Sequence, residues 1–357
     1  MKEKLKIALI TRWNATCGIS LHAEMVGREL IERGYKVKVF APTLESANRW
    51  WHHIRIREKE EDFVERVYEE IDPEGNGGSF DIEKVLKFEP DIILLESYQS
   101  LPHAYIEELI IKAGVPSIAV LHEGDFLRYS DLSIFSSIVV FDSRFIEELI
   151  GERYPRDKIR IISYPCYPLR EQKRNFAEDG LIRFATFGRQ PAFELKPFIE
   201  ALRKLKESYN NIYYRIVRGD KLLDISEEWI EQEKKVLDLE DIDRLLHNSD
   251  IHLLPKGPTK NVVVSSTLYQ VMGTLCITVV PDTRHFEMHK HDNTVVIFKD
   301  VKDLMEKLKE IIEREDLRRK LKESMKKYVE KHNVKKVTDE FENLINSVLI
   351  QNFKQVF

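Results

Sequence analysis

The sequence predicts an α/β protein built from two consecutive parallel-sheet units, and three observations carry that prediction. The chain opens strand–helix–strand: Leu5–Thr11, Ile19–Arg33 and Lys36–Ala41. Strands and helices then alternate until Tyr164–Glu178, where Pro165, Pro168 and a charged run read as a linker. After it the alternation restarts. A βαβ opening implies a parallel sheet with right-handed crossovers. A length of 357 residues exceeds what one hydrophobic core usually supports.

In the first unit the helix carries Leu21, Met25, Leu30 and Ile31 on one side, with Ser20 as a candidate cap and Gly34 as its stop. A charged helical piece is expected around Glu58–Glu70, and Glu74–Ser79 reads as a turn. The strands Asp91–Glu96, Ser117–His122, Ile138–Phe141 and Lys158–Ser163 follow, with helices Leu101–Ala113 and Arg144–Tyr154 between them.

The second unit opens on strand Leu181–Phe187, bounded by Gly188. Pro197 suits a first helical position, and Phe198, Ile199, Leu202 and Leu205 recur at helical spacing after it. This start puts Lys196, with Arg189 nearby, against the positive end of a helix dipole. A bound phosphate would relieve that crowding; two solvated basic side chains with Glu194 beside them would look the same. Strand Ile212–Val217, a charged helix near Ser226–Leu237, a short helix Asp241–His247 and strand Ile251–Leu254 come next. Helix Ser265–Met272 and strands Cys276–Val280 and Thr294–Phe298 lead into three closing helices, Val301–Arg314, Leu317–His332 and Val334–Leu349. Ligands of such sheets sit outside the carboxyl ends of the strands, so two facing edges would form a central cleft.

Composition excludes several classes. The chain is 43% hydrophobic, which is incompatible with general disorder, and its net charge of −5 gives no global positive field for nucleic acid. Cys17, Cys166 and Cys276 are odd in number and far apart, which speaks against disulfides and zinc knuckles and for a reduced, cytoplasmic protein. No run approaches the roughly 18 apolar residues of a membrane span, and peripheral membrane contact stays open. The abundance of Lys and Glu suits a thermostable protein. Neither a dinucleotide fingerprint nor a P-loop is present, and no Gly-x-Ser-x-Gly elbow points to a hydrolase. His285 and His289 have a metal-ligand spacing on a helix, but no second ligand pair accompanies them, and a solvated loop explains them better. Trp50 and Trp51 suit stacking on a sugar or lipid acceptor, or core packing.

Several stretches in matching order resemble the nucleotide-sugar glycosyltransferases with two Rossmann-like domains (the GT-B type), nearest to glycosyltransferase family 4. They are Cys17-Gly18-Ile19-Ser20 with Glu29-Leu30 and Arg33-Gly34-Tyr35; Pro90–Ile93; Pro116–His122; Phe187-Gly188-Arg189 with Lys196 and Ala201; Ser249–Pro255; and Met272-Gly273-Thr274. The resemblance implies an N-terminal acceptor domain (1–168), a C-terminal nucleotide-sugar domain (179–333) and a closing helix (334–357) that packs back on the first. It implies transfer of a sugar from a nucleotide diphosphate to a glycan, lipid or small-molecule acceptor, with no metal or other cofactor and with retention.

By the same resemblance His122, Arg189 and Lys196 would stand at the reacting centre. Gly18, Ile19, Gly219, Asn261, Ser265, Ser266 and Thr267 would join Arg189 and Lys196 around the donor, and Trp50, Trp51 and Glu123 would face the acceptor. One departure is plain. Aligning Pro255 and Gly273 puts Lys260 and Leu268 where the family carries two glutamates, and no Glu lies between those two positions. A non-catalytic nucleotide- or glycan-binding protein, or an epimerase or phosphorylase on the same scaffold, are the alternatives.

Overall fold

The structure, a computed structural model, describes residues 5–48, 55–170 and 175–356. Trp50 and Trp51 lie outside the described residues. The chain divides into two compact units, Met1–Pro165 with Asn261–Ser266 and Val334–Phe357, and Cys166–Lys260 with Thr267–Asn333. Both are parallel α/β sheets.

The first unit runs β1 (Lys6–Ile10), α1 (Gly18–Glu32), β2 (Lys36–Pro42), α2 (Leu44–Asn48), β3 (Val64–Tyr68), α3 (Ile82–Lys87), β4 (Ile92–Ser97), α4 (His103–Ala113), β5 (Ser117–Leu121), β6 (Ser137–Val140), α5 (Ser143–Phe145) and β7 (Ile159–Ile161). Its seven strands lie in the order β3-β2-β1-β4-β5-β6-β7. β4 and β5 are buried at every residue, as strands covered on both faces must be.

The second unit contains β8 (Ile182–Gly188), α6 (Ala192–Leu205), β9 (Ile212–Arg218), β10 (Ile230–Lys234), α7 (Leu239–His247), β11 (Ile251–Leu253), α8 (Ser266–Met272), β12 (Ile277–Pro281), β13 (Val296–Phe298), α9 (Val301–Glu313) and α10 (Glu315–His332); α8 has its first residue in the first unit. The strand order is β10-β9-β8-β11-β12-β13. Along β8, Ile182 and Phe184 join one apolar cluster with Phe198 and Leu202 of α6, while Ala185 and Phe187 join another with Leu245 and Val271. The alternation places helices on both faces of the sheet. The closing helix α11 (Val334–Val356) belongs to the first unit, where Phe341 is fully buried and Arg33 bonds Asp339 at 2.8 Å and the Lys335 carbonyl at 2.8 Å.

Four local expectations are corrected. The segment expected to be helical around Glu58–Glu70 contains β3, and the one near Ser226–Leu237 contains β10. Both are edge strands whose charges pair across to the next strand, Lys38 with Glu65 at 2.6 Å and Arg215 with Glu233 at 2.7 Å. Paired charges along an edge stabilise the sheet and discourage further strand addition. Helix α6 starts at Ala192, with Pro197 inside it, so Lys196 is an exposed residue of the second turn rather than a residue ahead of the helix. The cap of α1 is Cys17, whose sulfur accepts from the Ser20 amide at 3.5 Å; the Ser20 hydroxyl instead accepts from Ala15 N at 3.0 Å and donates to Glu24 at 3.1 Å.

Candidate functional site

In each sheet the strand order reverses direction beside the first strand, between β1 and β4 and between β8 and β11. The crevice at such a switch point, outside the carboxyl ends, is where α/β sheets bind ligands. Chemistry-bearing side chains gather at both.

In the first unit, Glu96 lies near the end of β4 and is fully buried. Its carboxylate accepts from His22 Nδ1 at 2.8 Å and His122 Nε2 at 2.5 Å. β4 pairs with β5 so that Ser97 stands opposite Leu121, and the amide of His122 bonds the Ser97 carbonyl at 2.8 Å. That register brings His122 and Glu96 together. Burial alone would raise the Glu96 carboxyl, but the two imidazoles hold it down to about 2. Burial pushes the His122 imidazole below its ordinary value, against the pull of Glu96. Among the described residues, His22, Glu96 and His122 form a group with the ligand types and spacing a metal requires, their atoms lying within 4.8 Å of one another. Distances of 2.5 and 2.8 Å are hydrogen bonds, and they satisfy the carboxylate.

Next to this triad stands Glu123, 2% exposed, whose Oε1 accepts from Ser97 at 2.7 Å while Oε2 has no hydrogen-bond partner. The Tyr129 hydroxyl shares the Ser97 hydroxyl at 2.9 Å. A second buried set, Arg12, Glu70, Tyr98 and Tyr68, follows the ends of β1 and β3. Arg12 binds Glu70 at 2.6 and 3.1 Å, and the Tyr98 hydroxyl donates to Glu70 at 2.7 Å.

The strap Asn261–Ser266 lies in this unit. The amide of Val262 bonds the Gly124 carbonyl at 2.9 Å, and Arg144 bonds the Val263 carbonyl at 3.2 Å. A side chain at Gly124 would overlap the Val262 carbonyl oxygen, so the backbones approach as only glycine allows. Gly18 likewise faces Ser266: an added Cβ would meet its Cβ and Oγ at 3.0 Å. The sequence-predicted residues Gly18, Ile19, Ser265 and Ser266 thus belong to one unit with His122 and Glu123, and Asn261 is exposed there. Ser265 is 2% exposed with an unpartnered hydroxyl.

In the second unit, Arg189 follows β8, and Pro255–Gly257 follows β11. Gly219 bonds the Gly188 carbonyl through its amide at 3.3 Å, so it sits beside the end of β8. Lys256 was not singled out from the sequence. Burial holds its amine below the ordinary value; Glu194 raises it and Arg189 lowers it further. Arg189 and Lys256 thus follow the neighbouring strands β8 and β11 at the switch point and act on one another's charge, with Glu194 of the first turn of α6 acting on Lys256 as well. Lys196 points from the next turn and is exposed. Thr267 also belongs to this unit, and Leu268 is 1% exposed core. The structure makes no metal pair of His285 and His289. They lie in a 3₁₀ turn, where residues four apart do not share a face, and His289 is buried and bonded to Asp292 and Thr294 at 2.8 Å.

No family model matches the chain. Solved structures match it nearly end to end. A glycosyltransferase from Rickettsia africae ESF-5 shares the fold at a TM-score of 0.67 and 14% identity, over 97% of this chain and 99% of that one. Alr3699/HepE of Anabaena, in complex with UDP and glucose, does so at 0.66 and 13%, over 96% and 100%. A Listeria monocytogenes protein assigned as a UDP-N-acetylglucosamine 2-epimerase matches at 0.62 and 13%, over 95% and 94%. The two parallel Rossmann-like sheets are those of the GT-B fold, as expected from the sequence.

Proposed function

We propose that the protein is a glycosyltransferase that takes a sugar from a nucleoside diphosphate donor, on the pattern of glycosyltransferase family 4 but with Lys260 and Leu268 in place of that family's paired glutamates. The observation that carries this reading is the convergence of Arg189 and Lys256 at the switch point of the second sheet. Cations fixed there would neutralise the diphosphate and the charge that builds on it as the glycosidic bond breaks, with no metal required for that task. Amides at the first turn of α6 would add donors to the same anion. In the first unit, His122 and Gly18 would border the sugar and Glu123 the acceptor. Structures sharing this fold were solved with UDP and with UDP-glucose, which supports a uridine nucleotide as the first donor to test.

Glu123 favours a second reading. A buried carboxylate with one free oxygen beside a histidine is equipped to take a proton from carbon, as an epimerase must. The test is a thermal-shift and calorimetric screen against UDP, GDP, ADP, TDP and CMP, with Arg189→Ala and Lys256→Ala alongside. One diphosphate that stabilises the wild type and neither variant supports the donor site, because a ligand of the folded state raises apparent stability. Binding of none of them overturns the reading. Release of an epimerised sugar with solvent deuterium at the epimerised carbon, from UDP-N-acetylglucosamine in D2O without any acceptor, would favour the epimerase.

A further inference from the structure

We propose that His22 and Glu96 are positioning residues that lock His122 in its Nε2–H tautomer, so that Nδ1 presents a lone pair at the carboxyl end of β5 and that point of the site accepts a hydrogen bond from a ligand hydroxyl. The inference deepens the sugar-binding reading above, for which a hydroxyl is the group to be held, but its geometry stands within the first unit alone.

Two contacts carry it. Glu96 is 0% exposed and reaches each imidazole with a different oxygen, Oε1 to His22 Nδ1 at 2.8 Å and Oε2 to His122 Nε2 at 2.5 Å. An ionised carboxylate has no hydrogen to give, so both nitrogens facing it carry one. The remaining nitrogen of each ring then fixes the protonation state. On His22 it is Nε2, which is sealed from solvent without a partner. The ring is edged by Phe141, Tyr164 and Phe341 at centroid distances of 5.4, 5.2 and 5.8 Å. With Nδ1 already protonated, a second proton there would bury both a positive charge and a donor with no acceptor, which costs more than leaving a lone pair. His22 therefore turns an Nδ1–H toward Glu96 and supplies it with one donor.

Glu96 then demands the second donor from His122, and the hydrogen bond made by one ring nitrogen decides the character of the other. Burial disfavours a cation on His122 as well, so its Nδ1 is left unprotonated. That nitrogen has no protein partner among the described residues and is not sealed like the Nε2 of His22. The charged or titratable groups that face His122 are Glu96 from β4, His22 from α1 and Glu123 from its own loop. Glu96 and Glu123 pull toward an imidazolium, whereas burial and His22 oppose it; burial is the largest of these effects, and it leaves the neutral acceptor. An oxyanion would meet a lone pair here; a hydroxyl would meet a partner.

The full chain labelled with ¹⁵N at its 11 histidines tests this by long-range ¹H–¹⁵N correlation at neutral pH, with His122 assigned from His122→Asn. The expected spectrum gives His122 a pyrrole-type Nε2 and a pyridine-type Nδ1. Glu96→Gln, which keeps the size of the side chain, and His22→Phe, which removes the donor and keeps an aromatic ring, should each average the two His122 nitrogens toward a tautomer mixture. His22→Asn, which restores a donor, should recover the fixed pattern; a role in packing alone would be rescued by Phe and not by Asn. A wild-type His122 that is Nδ1–H or imidazolium overturns the proposal, as does one tightly bound metal ion in native mass spectra. These outcomes are read without nucleotide, so a failure of the tautomer is separate from a failure of the donor screen.

Discussion

Arg12 and Glu70, 58 residues apart in the chain, are joined by two hydrogen bonds of 2.6 and 3.1 Å in the interior of the first unit. Glu70 is 1% exposed and Arg12 8%, and Arg12 also lies over the ring of Tyr98 at 4.4 Å. The pair ties the end of β1 to the segment after β3, on the side where the candidate site forms. Breaking it by Arg12→Ala leaves a buried carboxylate with its main counter-charge gone, a change that typically costs about 3–5 kcal/mol. The expected result is a large drop in urea midpoint followed by the fluorescence of buried Trp13. Replacing both partners, Arg12→Met with Glu70→Leu, should recover much of the loss, because a packed apolar pair avoids the desolvation of two charges. A double variant as unstable as the single one would show that the ion pair itself is required.

Gly124→Ala addresses the strap. Its methyl group would overlap the Val262 carbonyl, a backbone atom that cannot rotate away. Overpacking of this kind costs about 1–3 kcal/mol. The expected outcome is lower thermal stability with faster proteolysis between 261 and 266. An unchanged cleavage pattern would mean that the strap is held by other contacts.

These positions differ in how far they could be read from the chain. The two α/β units were legible because β1, β4 and β5 carry apolar runs, and β8 is rich in β-formers bounded by Gly188, with amphipathic helices between the strands, a local signal. The edge strands β3 and β10 were not, because VERVY and IEQEK carry charges at a spacing that also suits a solvated helix; their partners, Lys38 and Arg215, lie on neighbouring strands. Pro197 misplaced the start of α6, since a proline early in a helix resembles one at its first position. His122 was visible through resemblance, whereas His22 and Glu96 were not: they meet only through strand register and helix packing, across 74 residues. Lys256 has no motif of its own and gains meaning from the crossing of β8 and β11.

Acid sensitivity follows from two buried groups. Glu96 titrates near 2 in the folded protein against an ordinary 4.5. Its contribution is complete above pH 4.5 and is lost as pH falls from there toward 2, because the unfolded chain takes up a proton that the folded chain refuses. His252 is fully buried, and burial drives its imidazole from 6.5 to about 3. Here too the unfolded chain binds the proton first, so stability falls as pH drops from 6.5 toward 3. Urea midpoints measured against pH should therefore decline in two overlapping windows. His252→Asn should flatten the upper window, and Glu96→Gln should flatten the lower one. A profile in which Glu96→Gln matches the wild type between pH 4.5 and 2 would remove Glu96 as the source.

The two lysines near Arg189 should separate in nucleotide binding. Lys256 is half-buried at the end of β11, where Arg189 and Glu194 both act on its charge. Lys196 is exposed on the second turn of α6, where solvent screens its field and its long side chain must be ordered to reach an anion. An exposed charge contact is worth up to about 1 kcal/mol, whereas a charge-assisted hydrogen bond from a desolvated group contributes about 1.5–3 kcal/mol. With whichever diphosphate stabilises the wild type, Lys256→Ala should weaken binding by roughly tenfold or more, about 1.4 kcal/mol per factor of ten, and Lys196→Ala by several-fold at most. Raising the salt concentration should erase the Lys196 effect before that of Lys256, since buried charges are screened less. Calorimetric titration of the two variants decides the order. If Lys196→Ala proves the more damaging, the phosphate lies over the outer turn of α6 and the β11 loop is not its main anchor.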